Sequence, residues 1–471
     1  MNARQAVTAL WLAAGLPRAA LAALTLTGVD PVVPSSFAVG AAAQSAVAPA
    51  ALAAAQIGQL RNGLQQTIKV DMREAALEAF CHFSVDGKRP ELWDKLAGVY
   101  RCKSGGQAGA WVRVHTNFAH HRDALLRLLG LRTGADVTRE EVAQSLLPLD
   151  AFKLEEAAAS CGALVAAYRT ESEWQAHPQC AALALQDVVS LEKIGDAPAL
   201  DWSELDRTER PLSKLRVLEL TRILAGPVAG RTLAAYGAEV MLVNSPHLPN
   251  IEAIIDTSRG KLSALADLRQ PADHAALDAA LAQAHVFIQG YRPGSLARLG
   301  YSAEAIAQKR PGVVVVSLSA FGETGPWANR RGFDSLVQTA CGLNHQEALA
   351  FASHESLQAA EPRALPMQIL DVASGFLMAF GAQAALLRQQ REGGSWHVRV
   401  SLARTAQWLC ELGRVEDGFL AAKPDFSALM KSYRSGYGEL LASRHSAHFS
   451  HTPAGWDKPS MPPGSHPLRW Q

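Results

Sequence analysis

The apolar residues change their period near residue 211. Beyond it, short and nearly unbroken apolar runs alternate with stretches of helical spacing. LRVLEL (215–220), AEVMLVN (238–244), HVFIQG (285–290) and GVVVVSLS (312–319) read as strands, while PVAGRTLAAYG (227–237), PADHAALDAALAQA (271–284) and SAEAIAQKR (302–310) read as helices. Strands apolar on both faces and separated by helices predict a parallel sheet covered on both sides. The fold class expected is therefore α/β: a Rossmann-like half over about 211–415 and a second, smaller α+β domain before it.

Residues 1–80 form an Ala-rich helical segment in this reading, and AVTALWLAAGLPRAALAALTLTG, split by Pro17 and Arg18, predicts a packed helix pair. No run there reaches the roughly 18 apolar residues of a membrane span. TIKVDM (67–72) reads as a strand and GVYRCKSGGQAGAWVRVHTNF (98–118) as an antiparallel hairpin, within a small domain at 81–183. Thr170 and Glu173 have the spacing of a capping box. Residues 184–210 are expected to be a linker, and 416–471 a wrapping or mobile tail. The first segment echoes 361–410. Laid over one another without gaps, Arg61, Gly63 and Val70 fall on Arg391, Gly393 and Val400, whereas Asp371 falls on Ala41.

Bulk charge narrows the partners. Forty-five basic against forty-four acidic residues give +1, so no global field draws the chain to nucleic acid or an anionic membrane. Neither partner is expected. The six cysteines lack any ligand spacing, which predicts reduced thiols in a cytoplasmic protein. His445, His448 and His451 recur at helical spacing without a carboxylate or Cys cluster, so no metal is expected.

Candidate chemistry centres on ILDVASG, where Asp371 opens a long apolar helix. Either it caps that helix or it reacts. A nucleophilic carboxylate must stay ionised yet be stripped of water, and a helix N-terminus lined by Ile369, Leu370, Val372 and Phe376 offers both conditions. Gly375 is read as letting a ligand approach and offering N–H groups to an oxyanion. The first turn, TRILAGPVAG (221–230), lacks the G-x-G-x-x-G fingerprint, so no nicotinamide or flavin is expected. Arg222, Arg259, Lys261, Arg292 and Arg298 all fall near strand or loop ends where an anionic ligand would lie.

In order and spacing these segments resemble the family III CoA-transferases. LRVLELTRILAGPVAG, SRGKLSALADL (258–268), FIQGYRPGSLARLGY (287–301), SLSAFGETGPWANRRGFDSLVQTACGL (317–343) and LDVASG are similar to that family's motifs. The resemblance implies coenzyme A as a substrate rather than a resident cofactor, with an acyl-CoA and a small carboxylic acid as partners. It implies Asp371 as the nucleophile that carries an aspartyl-CoA thioester, and a homodimer. By position it carries CoA contacts onto Arg222, Ile223, Ala225, Lys261, Tyr291 and Arg298. Asn244 and Gly290 depart from the usual acid and Asn. The loop KSGGQAG (103–109) is either a lid over the intermediate or an ordinary hairpin turn. Two alternatives remain: an α-methylacyl-CoA racemase-like enzyme, disfavoured because Phe333 occupies the place of a catalytic His, and a catalytically silent CoA-binding protein.

Overall fold

The computed structural model describes residues 1–352 and 361–471. Its centre is a seven-stranded sheet running Lys261–Leu265, Glu239–Asn244, Arg216–Leu220, Val286–Gln289, Val314–Ser319, Ser395–Ser401 and Ser190–Gly195. All neighbours are parallel except the last strand, which lies antiparallel on the edge. That edge strand corrects the expected linker: half-polar residues between Ser190 and Gly195 pair with Ser395–Arg399. The chain builds outward from Arg216–Leu220 and then crosses to Val286–Gln289, so a topological switch point lies between those two strands.

The predicted strands of the second half form within a residue or two of their expected limits. Val313, Val314, Val315 and Val316 are all buried, as a strand covered on both faces requires.

The echo in sequence is an echo in structure. Val39–Asn62 and Ile369–Glu392 are both helices of 24 residues, buried along nearly their whole length, and they pack on each other. Alanines along Val39–Asn62 allow that close approach. The correspondence also continues further than the sequence suggested, because the hairpin Gly98–Gly106 with Gly109–Val114 is matched by Met430–Ser435 with Gly438–Ser443. Ile369–Glu392 is long and apolar enough to cross a membrane, yet its apolar window is wholly buried inside the protein.

One expectation changes at the N-terminal end. The second helix of the N-terminal pair is a short 3-10 turn, Arg18–Ala23, followed by the strand Leu24–Thr27. The tail is woven into the first half: Ala447–Phe449 pairs with Ile68–Val70, and Leu440–Ala442 pairs with Phe83–Val85. His445 is buried between Glu78 and the Tyr236 hydroxyl, at 2.9 and 3.0 Å. No His, Cys, Asp or Glu group with metal-holding geometry occurs among the described residues.

Candidate active site

Asp371 stands in the first turn of Ile369–Glu392, behind a cap residue, Gln368, that makes no side-chain bond. It does not cap the helix itself. Asp334, at the start of the helix Asp334–Ala340, does so instead: its Oδ2 accepts the Asp371 N–H at 2.9 Å, and the Leu370 N–H also bonds to it. The other copy is built alike, with Asp30 accepting from the N–H groups of Gly40 and Ala41 at 3.2 and 2.8 Å. Gly40 and Ala41 are the residues that fall on Leu370 and Asp371. Each long helix therefore has an acid that caps it, and only one carries a second acid beside the cap.

The carboxylate of Asp371 makes no hydrogen bond or ion pair among the described residues, although the residue is 8% exposed. Burial raises the Asp334 pKa to about 7, against the pull of bonds from Asp371, Gln338 and Leu370 and of the Arg113 charge. Burial and then the Asp334 charge push Asp371 well above the usual carboxylate range. Two adjacent buried carboxylates cannot both ionise cheaply, so the pair holds a proton near neutrality. This modifies the expectation of a permanently ionised nucleophile: desolvation outweighs the helix dipole here.

The small domain packs on the start of the helix Asp334–Ala340. Its hairpin brings His115 flat against Phe333, with ring centroids 4.1 Å apart, and places Phe118 6.2 Å from the same ring. Arg222, from the first loop of the sheet, lies 4.9 Å over Phe118. Arg113 lies 5.5 Å from the Trp93 ring and feels the Asp334 charge. Burial and the Arg113 charge lower His115 to about 3, so its imidazole is neutral.

Around the switch point the loops open two cavities. One, of about 300 Å³, lies at the carboxyl ends of the strands between Leu220, Val243, Asn244, Ala266 and Tyr291. The Asn244 amide donates to Thr221 O at 3.1 Å and leaves its own oxygen unpartnered. Arg269, on the same rim, is tied to Asp267 at 2.8 and 2.9 Å. The other cavity, of about 530 Å³, separates the small domain near Gly162 and Leu164 from Arg292, Trp327, Arg330 and Arg331. It reaches Leu336, two residues beyond Asp334, whereas Asp371 lines neither cavity.

Of the residues expected to contact an anionic ligand, several lie at this crevice. Ile223 holds φ at +76°, an unfavourable conformation for a β-branched residue, directly after Arg222. Ala225 begins the helix Ala225–Ala235, Tyr291 lines the smaller cavity, and Arg292 lines the larger. Arg298 sits on an exposed turn outside both.

Three expectations are corrected. Lys261 is fully buried and bound to Glu219 at 2.7 Å and Pro227 O at 2.8 Å, so its charge is spent inside the fold. Arg259 is clamped by Asp256 and Ser443 O and sandwiched near Trp456 and Tyr433, the tail supplying three of these four groups. Gly375 lies mid-helix, where an added Cβ would come within 2.5 Å of Ala225 O and 2.7 Å of Val228, so it serves helix packing. The Gly-rich loop at 103–109 is a hairpin turn held by Glu173, which accepts the Gln107 N–H at 2.7 Å.

Sequence reasoning did not single out Arg113, His115, Asp334 or Arg331 as site residues. Asp334 directly follows Phe333, but Arg113 and His115 belong to a hairpin more than two hundred residues away and carry no local signature.

Comparison with known proteins gives a consistent result. Residues 212–427 match the family model for CoA-transferase family III. An acyl-CoA transferase of Gibberella moniliformis is 30% identical over 331 residues, covering 66% of this chain and 58% of that protein. A succinate–glutarate CoA-transferase of Agrobacterium fabrum is 30% identical over 42% of this chain and 53% of its own length. The mouse succinyl-CoA:glutarate CoA-transferase is 30% identical over 49% and 53%. The chain thus spans a little over half the length of these relatives.

Proposed function

With residues 212–427 matching the family model for CoA-transferase family III, we propose that the protein moves CoA from an acyl-CoA to a free carboxylic acid through Asp371. The observation that carries this reading is a buried carboxylate with no hydrogen-bonding task, next to a second acid that does the capping. A structural Asp at a helix start would use its own oxygens as the cap.

The chemistry needs no net proton. A carboxylate oxygen of Asp371 attacks the thioester carbonyl and expels CoA thiolate, leaving an acyl-aspartyl anhydride. The thiolate attacks the aspartyl carbonyl, releases the donor acid and leaves an aspartyl-CoA thioester. The acceptor carboxylate then repeats these two steps in reverse, taking CoA and restoring the Asp371 carboxylate. Opening of the small domain along the 530 Å³ cavity would admit the pantetheine arm, and the crevice at Asn244 and Tyr291 would take the nucleotide.

The racemase alternative needs a base beside Asp371. Phe333 cannot transfer a proton, and the imidazole stacked on it, at about 3, is a weak base. Assays pairing acyl-CoA donors with free acids, run on the wild type and on Asp371→Ala, test the proposal. Transfer by the wild type and none by the variant is expected; equal turnover in both would refute the assignment. Deuterium entering the α-carbon without an acid acceptor would favour the racemase reading.

A further inference from the structure

We propose that Arg113 and His115 form the seat for the carboxylate of the acid that receives CoA, an inference that rests on the transfer reading above. Arg113 is the unusual cation here. Arg169, Arg231 and Arg259 are buried with acids beside them, Glu155 for the first and Asp256 for the other two. Arg113 has no ion pair and no side-chain hydrogen bond among the described residues, and its Nε is buried without a partner. Arg113 is half-buried, and holding a guanidinium there with no acid beside it is costly unless a ligand supplies the missing acceptor.

His115, two residues along the same hairpin, is 4% exposed and its Nδ1 is also buried without a partner. Its stacking on Phe333 at 4.1 Å fixes the ring plane. The matching hairpin shows the contrast. There Ser443 and His445 fall on Arg113 and His115, and both ring nitrogens of His445 are engaged, by Glu78 and Tyr236. The hairpin packed on the Phe333–Asp334 segment leaves a guanidinium and an imidazole nitrogen open, where the matching hairpin leaves only the Ser443 hydroxyl unpartnered.

The chemical class follows from what these donors lack. A carboxylate offers only acceptors, fits the planar fork of a guanidinium and can take a further bond from a neutral imidazole N–H. The reaction also creates the need, because an anionic acceptor must approach Asp334 and Asp371 against like charge. Arg113 supplies the opposing charge from the facing domain.

Calorimetric titration of Asp371→Asn with succinate and with acetate tests the seat where no thioester can form. Binding that Arg113→Gln, added to Asp371→Asn, weakens by about tenfold or more supports it, as does partial recovery with Arg113→Lys at an unchanged melting temperature. Kinetically, Arg113→Gln alone should raise KM for the acid by about tenfold while KM for acyl-CoA moves less than about twofold. Equal binding with and without Arg113, or no carboxylate binding in Asp371→Asn, would overturn the seat. Failure of the wild type to transfer CoA would instead refute the reading beneath it.

Discussion

The backbone N–H of Asp371 is held by Oδ2 of Asp334 at 2.9 Å, so one acid fixes the position of another while raising its pKa. That relationship leaves the Asp371 oxygens free, while burial first and the Asp334 charge second raise their proton affinity. It also makes the site sensitive to pH.

Asp334 titrates at about 7 in the folded chain, and Asp371 is raised as well. Unfolded carboxylates titrate near about 4. Between these limits the folded state binds the extra protons, so the stability they confer is complete below about pH 4 and is lost as pH rises through about 7. Asp334→Asn should flatten that loss, and its melting temperature relative to wild type should climb from pH 5 to pH 8. Transfer rates should rise with pH as the pair deprotonates, and the same variant should move that limb to lower pH. A pH-independent difference in melting temperature between the two proteins would contradict the shared proton.

Gly375 is a packing residue in this account. Gly375→Ala places a Cβ 2.5 Å from Ala225 O, which predicts a loss of about 1–3 kcal/mol in denaturant melts. The helix Ala225–Ala235 follows the Arg222 loop, so a rise in KM for acyl-CoA should accompany that loss. An alanine variant as stable as wild type would show that the two helices do not meet as described.

The Lys261–Glu219 pair offers a test of the corrected assignment. Lys261→Met leaves Glu219 as an unpaired buried acid and should cost about 3–5 kcal/mol. Combining it with Glu219→Leu should recover most of that stability, with KM for acyl-CoA near the wild-type value. A tenfold or larger rise in that KM in a well-folded double variant would return Lys261 to the ligand.

How far the sequence could be read depended on where the information lay. Val313–Val316 declares a strand covered on both faces because every side chain is apolar, and Ser302 announces its helix because a hydroxyl cap is local chemistry. Ser190–Gly195 gave no such signal, since an antiparallel edge strand with no fully buried residue resembles a polar linker. Met430–Ser443 was obscured because its partner strand lies at Phe83–Val85. Asp371 could be picked out from its apolar surroundings, but its missing hydrogen bonds could not. Arg259 and Lys261 look like ligand cations in any sequence; only the fold reveals Asp256 and Glu219 beside them. Arg113 comes within range of the Asp334 charge, and His115 meets Phe333, through domain packing alone.

The most direct measurement is peptide mass mapping after incubation with an acyl-CoA and no acceptor acid, with and without hydroxylamine. The account predicts a CoA adduct on the peptide that contains Asp371, removed by hydroxylamine with conversion of that side chain to a hydroxamate, and absent from Asp371→Asn. CoA transfer proceeding at full rate with no adduct on that peptide would contradict it.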